Sequence, residues 1–298
     1  MGIFDKIRKM FSADAGLERQ SAGRKTSQEL ASWLGIELVA LEAVEPSYHQ
    51  FTIAKRSGGK RTISAPSKEL KRIQRLINRR LLSGLQSHPN VTGFEKGHSI
   101  VTNANIHTNK AVVVRMDIKD FFASTGPERI ERFFRRIGWD ADASKLLTKL
   151  CTYKNGLPQG APTSPRLSNL VNYPIDARLS ALALKISASY TRYADDMTFS
   201  FEEDDRHRIA GSIVVTKTVI KKYGYKLHQK KKLRITRQHQ RQQVTGLVVN
   251  EKVQLPRKTR RWLRAVNHHI ETGRQVTLTD AQRAGWQALE SMIEDQGT

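Results

Sequence analysis

Two short apolar runs that carry carboxylates constrain this chain more than any other feature. The first, AVVVRMDI (111–118), is largely apolar until it reaches Asp117. A run of this kind is expected of a central, buried strand. The second, YTRYADDMTFSF (190–201), alternates Met197, Phe199 and Phe201 with Thr198 and Ser200. That is the period of a strand on the second arm of a hairpin. Asp195 and Asp196 sit at the hairpin tip. Asp is a common turn residue, and a lone Asp-Asp pair needs no further reason. Asp117 supplies one. If the two strands are neighbours in one sheet, three carboxylates meet, and they are unstable together unless cations neutralise them. Mg²⁺ prefers hard oxygen ligands and keeps waters that substrate phosphates can replace. Two such ions can activate an attacking hydroxyl and stabilise the leaving oxygen of an in-line phosphoryl displacement.

Charge points the same way. Lys and Arg number 51 against 28 Asp and Glu, a formal charge of +23 over 298 residues. An excess of that size implies a polyanion partner, either nucleic acid or an anionic membrane surface. No run of apolar residues is long enough to span a bilayer. The opening MGIFDKIRKMFS reads as a short amphipathic helix without a secretory apolar stretch, and Lys6 stands where a myristoylation signal needs Ser or Thr. Cys151 is the sole cysteine. No intrachain disulfide can form, and a reducing, cytoplasmic location is expected. Three windows lack any acidic residue: 52–68, 70–94 and 206–250. One such run is usually a solvated face, but three favour strong, salt-dependent binding of phosphates.

The rest of the chain reads as irregularly alternating helices and hairpins. TSQELASWLG (26–35) opens with capping residues and spaces Leu30, Trp33 and Leu34 as a helix does. FTIAKRSGGKRTISAP (51–66) predicts two strands around Gly58-Gly59. SKELKRIQRLINRRLLSGLQ (67–86) lines Leu70, Ile73, Ile77 and Leu81 along one helical face. Helices are also predicted over 126–138, most of 164–185, 211–224, 257–272 and 279–294, and a strand over 244–250. Together these suggest an α+β fold built on an antiparallel, palm-like sheet.

In this order, MDIKDFF, GLPQGAPTSPRLSNL and YADD resemble the palm of a reverse transcriptase over roughly residues 50–250. The resemblance implies a right-hand polymerase. Residues 1–25 would be an N-terminal helix and linker, 26–110 fingers, 111–250 palm with a fingers-like insertion around 126–165, and 251–298 a small thumb. It implies that Asp117, Asp195 and Asp196 are catalytic and hold two Mg²⁺ ions. Phe122 falls where the family places a ring that excludes a ribose 2′-hydroxyl; Phe121 reads as ordinary core. Gln159 and Gly160 would line the nucleotide pocket, Lys60 and Arg61 would hold the triphosphate, and Lys231 would lie near the leaving pyrophosphate. The family has Asn where this chain has His228.

Two shorter motifs narrow the resemblance to retron reverse transcriptases: NANIH (103–107), with Asn103, Ala104 and His107, and Val244-Thr245-Gly246. A lone histidine more commonly ends as a satisfied buried side chain; the resemblance instead implies that both motifs bind RNA. It further implies a cognate structured non-coding RNA that is template and primer. Priming from an RNA 2′-hydroxyl would yield a branched RNA–DNA product. Deoxynucleoside triphosphates would be the substrates, a separate effector protein a partner, phage defence the role, and no membrane would be involved. Trp262, in the basic PRKTRRWLRAVNHH, could stack on a base or belong to the core. No endonuclease, ribonuclease H domain or maturase extension is expected. The competing readings are another small bacterial reverse transcriptase, intron-like or diversity-generating, and a non-polymerising RNA-binding scaffold.

Overall fold

The structure, a computed structural model, describes residues 23–54, 58–228 and 233–297. The expected helix at 1–12 lies outside the described residues. The chain divides into two compact units, one of residues up to Gln86 with Phe122–Pro174, the other of Ser87–Phe121 with Ile175 onward.

In the first unit, helix Ser27–Leu34 starts at a full capping box between Thr26 and Glu29. It stops at Gly35, whose φ of 62° is the left-handed conformation that favours glycine. Strands β1 (Tyr48–Ala54) and β2 (Lys60–Pro66) pair antiparallel, from Tyr48 opposite Pro66 to Ala54 opposite Lys60. Helix Lys68–Ile77 buries Leu70, Ile73 and Ile77, then continues as a π-helical turn over Asn78–Leu82. Those side chains meet Leu30, Leu34, Phe134, Trp139 and Leu147 in one core. Burying each such side chain stabilises by roughly 1.5–3 kcal/mol. Gln74, buried in this core, donates to the Leu150 carbonyl and the Tyr48 hydroxyl, both at 2.8 Å. It thereby ties three elements together. Helices Pro127–Arg136, Ala141–Cys151 and Ser164–Val171 complete the unit. Burial pushes the Cys151 thiol up to about 12, so it stays protonated.

The second unit is built on a four-stranded antiparallel sheet. Strands β3 (Val112–Asp117), β4 (Ala188–Tyr193), β5 (Asp196–Phe201) and β6 (Arg234–Arg237) lie in the order β4-β5-β3-β6. The apolar run of β3 is interior, with Val112, Val113, Val114 and Met116 buried, as expected of a central strand. The mixture of helices with antiparallel sheets matches the α+β expectation.

One expectation is corrected. Residues 244–250 do not form a single strand. β7 (Gln243–Val244) and β8 (Leu247–Val248) are the arms of a tight hairpin. Its two central residues, Thr245 and Gly246, have φ of 48° and 89°. Two successive positive φ angles are what the two-residue hairpin turn demands. The Thr245 hydroxyl fastens that turn by donating to the Ile100 carbonyl at 2.7 Å. Val244, Leu247 and Val249 pack with Val101, Ala104 and Leu263, and Trp286 and Ile293 of the last helix lie against this cluster.

Candidate active site

The site is assembled by strand register. β3 and β5 are antiparallel neighbours, and Asp117 stands directly opposite Asp196. In such a pair the Cα atoms are about 4.5–5.5 Å apart. Like charges facing each other destabilise a sheet unless something offsets them. Arg115, two residues before Asp117 in β3, donates Nη2–H to Asp196 Oδ2. His228 lies on the other carboxylate, with Nε2 3.5 Å from Asp117 Oδ1. The His228 backbone N–H also donates to the Asp117 carbonyl at 2.9 Å. Asp195 occupies the turn between β4 and β5, and its carbonyl accepts from the Ile118 N–H at 2.9 Å. All three aspartates are partly exposed.

A buried ionic cluster braces this hairpin, and sequence reading missed it. Arg192 of β4 and Asp176 of helix Tyr173–Lys185 are both fully buried. Arg192 donates through Nε and Nη2 to the two Asp176 oxygens, each at 2.7 Å. The Tyr190 hydroxyl donates to Asp176 Oδ1 at 2.9 Å. Burial alone would push the Arg192 guanidinium down, but the Asp176 carboxylate outweighs it and holds the group above its ordinary range. Burial, then the Asp176 charge, raises the Tyr190 phenol. The remaining arm of Arg192 donates from Nη1 to the Ala194 carbonyl at 3.0 Å. Ala194 is the first turn residue and has φ of 55°, a strained conformation for a residue with a Cβ. Segment 90–93 closes the brace. Arg192 N–H donates to the Asn90 carbonyl and Thr92 N–H to the Arg192 carbonyl. A Cβ on Gly93 would sit 2.6 Å from the Ala194 nitrogen, so only glycine fits there.

Of the expected nucleotide-binding residues of the first unit, Gln159 and Gly160 pack on the strand that Lys60 and Arg61 open. Lys60 and Arg61 open β2 and are exposed. Farther along β2, Ser64 N–H donates to the Gln159 carbonyl at 2.8 Å. Gly160, with φ of 130°, packs so closely that a Cβ would lie 2.9 Å from both Ile63 Cγ2 and the Ser64 carbonyl oxygen. The Phe122 carbonyl accepts from Leu157 N–H at 3.0 Å, at the start of the same loop. Its side chain is partly buried against the core. Lys231 lies outside the described residues.

The expected RNA-binding motifs are differently placed. Asn103, Ala104 and His107 are buried. Asn103 Oδ1 accepts from the Thr92 hydroxyl at 2.7 Å. His107 bridges Ser200 Oγ at 2.7 Å through Nδ1 and Thr191 Oγ1 at 2.8 Å through Nε2. Burial, reinforced by the Lys110 charge, lowers its pKa to about 3, so it is neutral at physiological pH. Through His107, NANIH ties the segment after helix Ile100–Asn105 to β4 and β5 of the sheet, while Ile106 of the same motif is exposed. Val244 is buried as well, while Gly246 is exposed at the turn.

Residues 53–254 match the family model described as reverse transcriptase (RNA-dependent DNA polymerase). The chain belongs to that family. Among similar proteins, it is 36% identical to the retron Ec86 reverse transcriptase of Escherichia coli, over 80% of this chain and 74% of the relative. It is 34% identical to the retron Mx162 reverse transcriptase of Myxococcus xanthus, over 91% of this chain and 64% of the relative. The retron Mx65 enzyme of the same organism is 32% identical over 91% and 69%. The chain thus spans about two thirds to three quarters of these relatives' lengths. They place it among the retron reverse transcriptases.

Reverse transcriptases generally use divalent metal ions. Among the described residues, no three ligating side chains are gathered tightly enough to form a ready metal centre. The donor set nevertheless fits a hard cation. It offers carboxylate oxygens on register-paired positions of two strands and on the adjoining turn, with Arg115 neutralising one of them. Of the residues missed from sequence, Asp176 and Arg192 did leave a signal. Asp176 shares the spacing of buried Leu179 and Leu182, and Arg192 lies two residues from buried Tyr190. A charge on an apolar face calls for a buried partner. Among the described residues, no helix is long and apolar enough to cross a membrane.

Proposed function

We propose that this retron-type reverse transcriptase polymerises DNA on an RNA template at Asp117, Asp195 and Asp196. The observation that carries this reading is the register of Asp117 opposite Asp196, with Asp195 in the adjoining turn. Two Mg²⁺ ions bound there would supply Lewis-acid activation of the primer hydroxyl and charge stabilisation at the leaving oxygen. The chain's own residues do the rest. Arg115 keeps the carboxylates from repelling one another before substrate arrives, and the Arg192–Asp176 brace holds the turn still. The four-stranded sheet is the palm, the β1–β2 hairpin with its helices the fingers, and residues 251–298 the thumb. Lys60 and Arg61 hold the triphosphate, Gln159 and Gly160 line the nucleotide pocket, and Phe122 excludes the ribose 2′-hydroxyl. Lys231 attends the pyrophosphate.

The retron relatives support a narrower reading of substrate and role. The template is a cognate structured RNA, the primer one of its own 2′-hydroxyls, and the product a branched RNA–DNA. The protein works in the cytoplasm with a separate effector in phage defence. The NANIH segment and the Val244-Thr245-Gly246 turn, joined through Thr245 and Ile100, belong to the RNA-binding surface, with the buried residues holding exposed Ile106 and Gly246 in place. The test is Asp196→Asn on a primed RNA template with Mg²⁺. Deoxynucleotide incorporation should be abolished while RNA affinity is largely kept; retained full activity would overturn the catalytic assignment.

A further inference from the structure

One residue beside the Asp195–Asp196 hairpin is held in a strained conformation with its side chain turned outward. Phe94 has φ of 64°. A bulky side chain in the left-handed region is an outlier that persists only where its surroundings enforce it. Here they do. Gly93, immediately before it, is locked against Tyr193 and Ala194, where even a methyl group would collide with backbone at 2.6–3.1 Å. Thr92, one residue earlier, is fixed to the Arg192 carbonyl and to Asn103. Nor is the strain offset by burial, because Phe94 is 46% exposed. It is held out beside the Tyr193 ring, centroids 6.4 Å apart and planes tilted by 42°. Tyr193 itself pairs with Asp196 in the sheet. The surrounding loop offers exposed donors. Lys96 and His98 are exposed, while the acidic Glu95 accepts from Ser87 Oγ at 2.7 Å.

We infer that Phe94, with Tyr193, forms a platform on which a nucleobase of the strand at the catalytic hairpin stacks. Every base has a π-face, so an aromatic ring grips nucleic acid without reading its sequence. Lys96 and His98 lie where that strand's phosphates are drawn in. The inference rests on the reading of Asp195–Asp196 as the catalytic pair.

Three variants test it, with affinity measured at fixed salt on a DNA primer annealed to an RNA template. Phe94→Gly relieves the backbone strain, so its melting temperature should equal or exceed that of the parent. Its affinity should nonetheless fall roughly 5–150-fold, the loss expected for one stacked base. Phe94→Leu keeps an apolar side chain without a π-face and should lose affinity similarly. Phe94→Trp should bind like the parent, and its added indole fluorescence should be quenched by the primed template. Unchanged affinity in folded Phe94→Gly and Phe94→Leu, or an unquenched Phe94→Trp, overturns the platform. The quench is also read with Asp195→Asn added to Phe94→Trp. A quench without incorporation supports both readings. Normal incorporation there refutes the catalytic pair and, with it, the basis of the platform.

Discussion

Substituting Asp176 by Ala strips the carboxylate that accepts from both Nε and Nη2 of the fully buried Arg192 guanidinium. Both side chains have zero exposure, so solvent cannot take over the charge. Breaking a buried pair from one side costs about 3–5 kcal/mol, because the surviving ion stays buried without its partner. Tyr190 loses its acceptor as well. At roughly 2–4 °C per kcal/mol for a protein of this size, melting should drop by about 6–20 °C. Thermal unfolding followed by circular dichroism reads this directly. The paired variant Asp176→Leu with Arg192→Met removes both charges, and such replacements are often neutral or stabilising. It should recover most of the lost melting temperature. It should not recover primer extension, because the bond from Arg192 Nη1 to the Ala194 carbonyl is gone and the turn that carries Asp195 is unheld. A loss below about 1 kcal/mol in Asp176→Ala, the scale of an exposed pair, would refute the reasoning. So would full activity in the paired variant.

Two further outcomes are expected. His107 takes up a proton at about 3 when folded and near 6.5 when unfolded. Below 6.5 the unfolded chain therefore binds more protons, and stability is lost as pH falls from 6.5 toward 3. At pH 5 this amounts to about 2 kcal/mol. Denaturant unfolding at pH 7.5 and pH 5 should show that extra loss in the parent but not in His107→Gln; equal pH dependence in both would count against it. Phe122→Val should admit ribonucleotides, with discrimination against them in primer extension falling roughly 10–100-fold, the scale of relieving a ~1–3 kcal/mol steric clash. Unchanged discrimination would remove Phe122 from the sugar-gating role.

What could be read from the residues, and what could not, divides along physical lines. The carboxylate-bearing strands were legible because alternation and a continuous apolar run are local signals. The capped start of helix Ser27–Leu34 and the apolar face of 68–77 were legible for the same reason. Helix Ala141–Cys151 carried the same local signal, an Asp140 cap with Ala143, Leu146, Leu147 and Leu150 along one face, and sequence reading passed over it. Val244-Thr245-Gly246 looked like strand because β-branched residues flank it. The turn there depends on a contact with Ile100, 145 residues away in sequence. The Arg192–Asp176 brace depends likewise on a helix meeting a strand. His107 had two open readings in sequence, and only the placement of Ser200 and Thr191 around its ring decides for the buried one.

The most direct test of the account is divalent-cation binding at the three aspartates, measured by calorimetric titration of Mn²⁺ into the protein with primed RNA bound. The parent should take up cation, and Asp117→Asn, otherwise folded and still binding RNA, should lose that uptake together with deoxynucleotide incorporation. Equal uptake and equal incorporation by the two proteins would contradict it.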